Sequence, residues 1–184
     1  MSDIGQNKED YTDEVKINEA MQDIISQLDL DPSQVDAFRE SMDTGEPLYV
    51  FLGIDQKEMQ HRYALAHHLY AMKKYEDAED HFSMLCLLSN NSSANWMGLG
   101  ACRLELGKYD DALNAFTVAS VLNGLEDIEP VYWIGICYLR KGDRKTAKDT
   151  FRRCLGFGHP EEREQNFFFE RAMTILSSLD DVED

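Results

Sequence analysis

Four histidines, His61, His67, His68 and His81, are the first candidates for metal chemistry in this sequence. Two histidines that hold one ion from a single helix stand at i and i+4, on one face. No pair among the four has that spacing, so no zinc-type site is expected. Cys86, Cys102, Cys137 and Cys154 come next. None forms a CxxC pair and each falls inside a predicted helix. They read as small core residues in a reducing compartment, not as ligands or disulfide partners. Adjacent acids, Glu76-Asp77 and Asp110-Asp111, invite an acid–base reading. Both pairs open predicted helices, where the positive helix end favours negative charge, and that explains them better. No glycine-rich phosphate loop is present. The residue types therefore predict no enzyme, no metal and no cofactor.

The pattern that remains is non-covalent. Tyr63, His67 and Tyr70 recur at the same offsets as Met97, Ala101 and Leu104, and again as Tyr132, Ile136 and Leu139. Gln60 and Ala71, Ala94 and Glu105, and Glu129 and Arg140 flank the three sets in turn. Together they predict a face that is mostly apolar and aromatic on a highly charged protein. Such a face suits an extended peptide with small or apolar anchors. The alternative at this point is that the chain's own N-terminal or C-terminal helix fills it.

The elements that must carry this face repeat. Trp96–Gly124 reads as one helix–turn–helix unit. Shifted back by 34 positions, it lays Tyr109 on Tyr75, Ala112 on Ala78 and Phe116 on Phe82. Shifted forward by 35, it lays Gly100 on Gly135, Gly107 on Gly142, Ala112 on Ala147 and Phe116 on Phe151. This is the tetratricopeptide (TPR) pattern. Such helix pairs cannot bury their apolar faces alone and must stack. Ala66, Gly100 and Gly135 are expected to allow close approach of the two helices. Phe82, Phe116 and Phe151 are expected to fill the space between layers. Gly107 and Gly142 suit the left-handed conformation that ends a helix. Lys73 stands at the matching place in the first copy, so that turn must form without glycine.

The rest of the chain frames the repeats. Residues 1–11 are polar and expected to be disordered. An amphipathic helix is predicted over 12–28 through Val15, Met21, Ile25 and Leu28. A second, capped by Asp31 with Pro32 at its first position, is predicted to stop near Gly45. LYVFLGI at 48–54 is read as a short helical turn, after which Asp55 caps the first repeat helix. The expected organisation is a helical extension over 12–54, a candidate for dimerisation, and three repeats over 55–158. A capping helix and acidic tail follow over 159–184. The fold class is all-α: three tandem TPR repeats in a right-handed solenoid, with N-terminal helices and a C-terminal capping helix.

Charge narrows the partners. The net charge is −17, with 35 acidic against 18 basic residues. Residues 1–58 hold fifteen acids and four bases, and 59–184 hold twenty and fourteen, so the excess lies before the repeats. Nucleic acid and anionic membranes are disfavoured. No apolar run reaches the length of a membrane span. The acidic N-terminus is no secretory signal, and a cytosolic protein is expected.

The run from Tyr63 to Phe116 resembles the class II type III secretion chaperones, the SycD/LcrH/IpgC family. The residues that carry the likeness are Tyr63, Ala64, Ala66, Tyr70, Tyr75, Ala78, Phe82, Leu85-Cys86 and the block GLGACR at 98–103. Gly45, Leu52 and Gly53 resemble the family's segment before the first repeat. The resemblance implies a bacterial cytosolic chaperone for hydrophobic translocator proteins. It implies a groove that binds an extended translocator segment, lined at Tyr63, Tyr70, Met97, Ala101, Leu104 and Tyr132. It further implies a homodimer formed through N-terminal helices. Lys73 departs from the family's glycine, and the N-terminal extension is longer and more acidic than the pattern. A TPR adaptor for an acidic C-terminal peptide is the rival; such grooves hold a carboxylate with Lys, Asn and Arg, and here only Arg140 is basic.

Overall fold

The computed structural model describes residues 31–124, 127–157 and 163–180, together with Glu19 and Asp23. The expected tail over 1–11, most of the helix expected over 12–28, the stop at Gly158–Pro160 and the acidic end at 181–184 lie outside the described residues. Glu19 and Asp23 are both helical.

Nine helices are seen among the described residues. They are α1 (Pro32–Thr44), α2 (Leu48–Phe51), α3 (Gln56–Ala71), α4 (Tyr75–Leu88), α5 (Ser93–Glu105), α6 (Tyr109–Leu122), α7 (Ile128–Lys141), α8 (Arg144–Phe157) and α9 (Arg163–Asp180). Local chemistry explains where several begin. Asp31 accepts hydrogen bonds from the backbone of Ser33 and Gln34, while Gln34 reaches back to the Asp31 N–H, a capping box with Pro32 behind it. Asp55 accepts from the Glu58 N–H at 2.7 Å and starts α3. Asp127 does the same for α7 through the Glu129 N–H. Gly45 ends α1 at φ +73°, as the sequence predicts.

The three repeats are α3–α4, α5–α6 and α7–α8, and each helix packs chiefly on the next. One turn joins the two helices of every repeat. Lys74 N–H donates to Leu69 O, Lys108 N–H to Arg103 O, and Asp143 N–H to Tyr138 O, each a Schellman closure. The left-handed residue inside that turn is Gly107 (φ +76°), Gly142 (φ +83°) and, in the first repeat, Lys73 (φ +59°). The turn thus forms in the first repeat with a side chain in a region that costs an L-residue about 1 kcal/mol or more.

Close approach is real and specific. A Cβ added to Gly100 would sit 2.7 Å from the Phe116 ring, and one on Gly135 would sit 2.8 Å from Phe151. At Gly98 the Phe82 ring comes to 2.2 Å of the same point. Glycine is required there because the aromatic ring occupies the volume a methyl group would take. Phe82, Phe116 and Phe151 are buried, as are Trp96, Leu99 and all four cysteines. Trp96 also ties down the linker between the first two repeats, its Nε1 donating to Asn90 O at 2.9 Å.

Helix α9 lies on α8 and α7 and buries Ala172 and Leu179 in a cluster with Phe151, Tyr132 and Cys154. An ion pair from Lys148 to Asp180 at 2.5 Å anchors its far end. Without such a cover the last repeat would expose the face its predecessors bury.

A buried charge cluster joins distant parts of the chain. Arg103 is 3 % exposed. Its Nε donates to Glu79 at 3.2 Å, its Nη1 to Asp111 O at 3.4 Å and its Nη2 to Asp23 at 3.5 Å. Lys108 reaches the other oxygen of Glu79 at 2.7 Å. The arginine thereby links the first two repeats and the segment that precedes them.

Candidate functional site

The first helices of the three repeats face a common cleft of about 420 Å³. Tyr63, His67 and Tyr70 line it from α3, and Ala94, Met97, Gly98 and Ala101 from α5. Glu129 and Trp133 line it from α7, with Phe82 and Phe116 beneath and Ser93, Asn123 and Asp127 at its edge. A second cleft of about 410 Å³ shares Tyr63 and Ala94 and runs on past Met59 and Gln60 to Tyr49 and Gln56. The two form one groove from the α2–α3 end to α7.

Aromatic packing holds the walls. The His67 ring lies 4.5 Å from Tyr63 and 5.3 Å from Phe82, both edge-on. Tyr70 meets Tyr75 at 5.4 Å. Trp133 stacks on Phe116 at 6.2 Å with 16° between the planes. Rings fixed in this way offer apolar surface without losing rotamer freedom on binding, which favours recognition. Burial pushes the Tyr63 phenol up, and burial reinforced by Glu105 and Tyr75 pushes Tyr70 up to about 12. Both phenols therefore stay neutral and keep a proton to donate. Burial also raises the Glu129 carboxyl; the Trp133 indole N–H, 3.4 Å from Oε1, opposes that and neighbouring Asp127 adds to it.

Of the nine residues predicted for the groove, Tyr63, His67, Tyr70, Met97 and Ala101 come together in the cleft. The other four do not. Leu104 is only 9 % exposed and packs with Ala112, Phe116 and Cys137. Tyr132 is 4 % exposed, with its ring 5.8 Å from Phe151 and 5.3 Å from Phe168 of α9. Ile136 and Leu139 pack into the same C-terminal cluster. The physical reason is the neighbour each helix has. The α6–α7 packing closes over Leu104, α9 closes over Tyr132, and half-buried Ile136 and Leu139 pack along the C-terminal cluster rather than into the cleft. Half-buried Trp133, one place beyond Tyr132, lines the cleft instead. Its only sequence signal is its size beside a periodic position.

The four cysteines are fully buried, and burial pushes Cys102, Cys137 and Cys154 up to about 12, far from thiolate chemistry. Among the described residues no three His, Cys, Asp or Glu side chains converge on a metal position. No helix among them is long and apolar enough to cross a membrane.

Stacked helix pairs around an open apolar groove define a tetratricopeptide-repeat protein, and tetratricopeptide-repeat family models match at residues 63–91 and 131–156. The chain is 30% identical over 145 residues to the chaperone protein SicA of Salmonella typhimurium, covering 78% of this chain and 84% of that protein. It belongs to the class II type III secretion chaperone family. It is also 34% identical over 95 residues to the low calcium response locus protein H of Yersinia pestis; that match spans 52% of this chain and only 56% of the relative. Among solved structures, the Yersinia enterocolitica type III secretion chaperone SycD, in complex with a peptide of the translocator YopD, superposes with a TM-score of 0.65 at 26% identity. The superposition covers 71% of this chain and 98% of that one.

Proposed function

We propose that this protein is a bacterial cytoplasmic chaperone that holds an extended apolar segment of a type III secretion translocator in its groove. It keeps a membrane-inserting protein soluble and unassociated until export. The observation that carries the reading is the open, aromatic-walled cleft at Tyr63, His67, Tyr70, Met97 and Ala101. The related chaperone SycD is seen with a translocator peptide. Apolar anchors seated there would each contribute about 1.5–3 kcal/mol before ordering costs, enough to protect and still allow release. The rival reading, a clamp for a peptide carboxylate, is disfavoured because neither cleft is lined by Lys or Arg. The role is binding, not catalysis. The segment before the repeats, residues 12–42, is assigned to homodimer formation; removing residues 1–42 should turn a dimer into a monomer in light scattering.

Co-expression with the translocators of the same organism tests the groove. Tyr63→Glu and Ala101→Trp should each abolish the soluble translocator while circular dichroism stays unchanged. Undiminished translocator yield from both folded variants would sink the reading.

A further inference from the structure

We infer that the segment held in the groove carries a lysine or arginine beside its apolar anchors, and that Glu129 pairs with it and so fixes which way the segment runs. This rests on the peptide-binding reading above.

Charge is distributed unevenly along the groove. The pocket at the α2–α3 end, with Tyr49, Gln56 and Gln60, has no Asp, Glu, Lys or Arg in its lining. At the α7 end the cleft has two carboxylates, Asp127 and Glu129, and again no Lys or Arg. The groove is therefore neutral at one end and anionic at the other.

The two acids are not equivalent. Asp127 uses both oxygens within the fold: one accepts the Glu129 N–H at 3.0 Å and caps α7, the other accepts the Asn123 amide at 2.7 Å. Glu129 is half-buried and, among the described residues, has no ion pair. Its hydrogen bond there is the long one from Trp133 Nε1, 3.4 Å from Oε1, and Oε2 has none. A carboxylate that has lost part of its water without gaining a cation is raised in energy, and a cation arriving with a ligand removes that cost. The Trp133 ring beside it, held by stacking on buried Phe116 at 6.2 Å, gives an arginine or lysine stem an aromatic surface to lie on.

Direction follows from the same asymmetry. A segment laid the other way would cover Glu129 with an apolar side chain and leave it unpaired, while its cation met only neutral groups. An unmade charge-assisted bond in a covered site is penalised more than a made one is rewarded. Apolar anchors supply the affinity, and Glu129 supplies register and direction.

A random peptide library displayed on phage and selected against the full chain tests this, with Glu129→Gln, Glu129→Lys and Tyr63→Glu selected in parallel. Glutamine keeps the oxygen that accepts from Trp133, so the fold is preserved, checked by circular dichroism. The wild type should enrich apolar anchors with Lys or Arg at one fixed offset on one side. E129Q should keep the anchors and lose the basic preference, and E129K should select Asp or Glu at the same offset. For a selected synthetic peptide, replacing the basic residue with Gln should weaken binding about tenfold in the wild type and leave E129Q unaffected. Anchors enriched without a basic residue, or an equal loss in both proteins, overturns the inference and leaves the groove standing. Apolar sequences that fail to enrich, or that persist in Tyr63→Glu, overturn the groove reading and this inference with it.

Discussion

Helices α3 and α7 present equivalent positions to the same side of the stack, yet only those of α3 line the cleft. Tyr63, His67 and Tyr70 line an open cleft, while Tyr132 is buried against Phe168 of α9, and Ile136 and Leu139, half-buried, pack onto the C-terminal cluster outside it. Helix α5 stands between the two cases, with Met97 and Ala101 in the cleft and Leu104 sealed against Ala112, Phe116 and Cys137. The periodic position sets which way a side chain points. What meets it there depends on the next layer, and the last repeat has a cap where the first has open groove. A repeat protein can in this way spend one motif on binding at one end and on stability at the other.

The sharpest way to break this contrast is charge. Leu104→Glu should cost on the order of 4 kcal/mol in urea unfolding, because a buried carboxylate gains no partner. Tyr63→Glu should stay within about 1 kcal/mol of the parent, since its side chain can reach water. Equal losses would mean that Leu104 is as open as Tyr63.

Truncation comes next. Tyr132→Ala removes a ring packed between Phe151 and Phe168 and should cost about 3 kcal/mol, against about 1 kcal/mol for Tyr63→Ala. A thermal melt of each variant reads the difference. A loss at Tyr132 no larger than that at Tyr63 would show that α9 does not close the third repeat.

The turns allow a gentler comparison of the same two repeats. Lys73→Gly relieves a positive φ and should raise stability by about 1 kcal/mol at most, because glycine also loosens the unfolded chain. Gly142→Lys should lower it by a similar amount. Both are measurable as shifts in the denaturant midpoint.

The smallest effect is that of pH at Glu129. Burial holds its folded carboxyl above the ordinary value of 4.5, so the folded state holds the proton more tightly than the unfolded chain does. Its contribution therefore weakens the fold as pH rises from that value through the higher folded one, and fades as pH falls below it. The stability gap between the wild type and E129Q should narrow on acidification; a gap that widens would reverse the sign.

Much of this was legible in the residues. The spacing of Gly100, Phe116, Gly135 and Phe151 specifies the repeat, because each close approach leaves room for only a small residue opposite an aromatic one. The caps at Asp31 and Asp55 were equally readable, since a cap needs only its next three residues. Five of the nine groove positions were legible for the same local reason: helical geometry sets their direction. Trp133 was not, because its prominence depends on Phe116 of another helix. Nor was the partner set of Arg103, whose contact with Asp23 spans 80 positions.

By itself the sequence determined the helix pairs, their turns, the small-against-aromatic packing and the inner side of each repeat, all of which depend on residues a few turns apart. The tertiary structure alone decided how much of that inner side remains open. Burial depends on which layer comes next, and α9, laid over α7 and α8, buries Tyr132 while its counterpart Tyr63 lines the cleft. It also decided that the unpaired charge in the groove sits at its α7 end, since a carboxylate's solvation depends on what surrounds it and not on its neighbours in the chain.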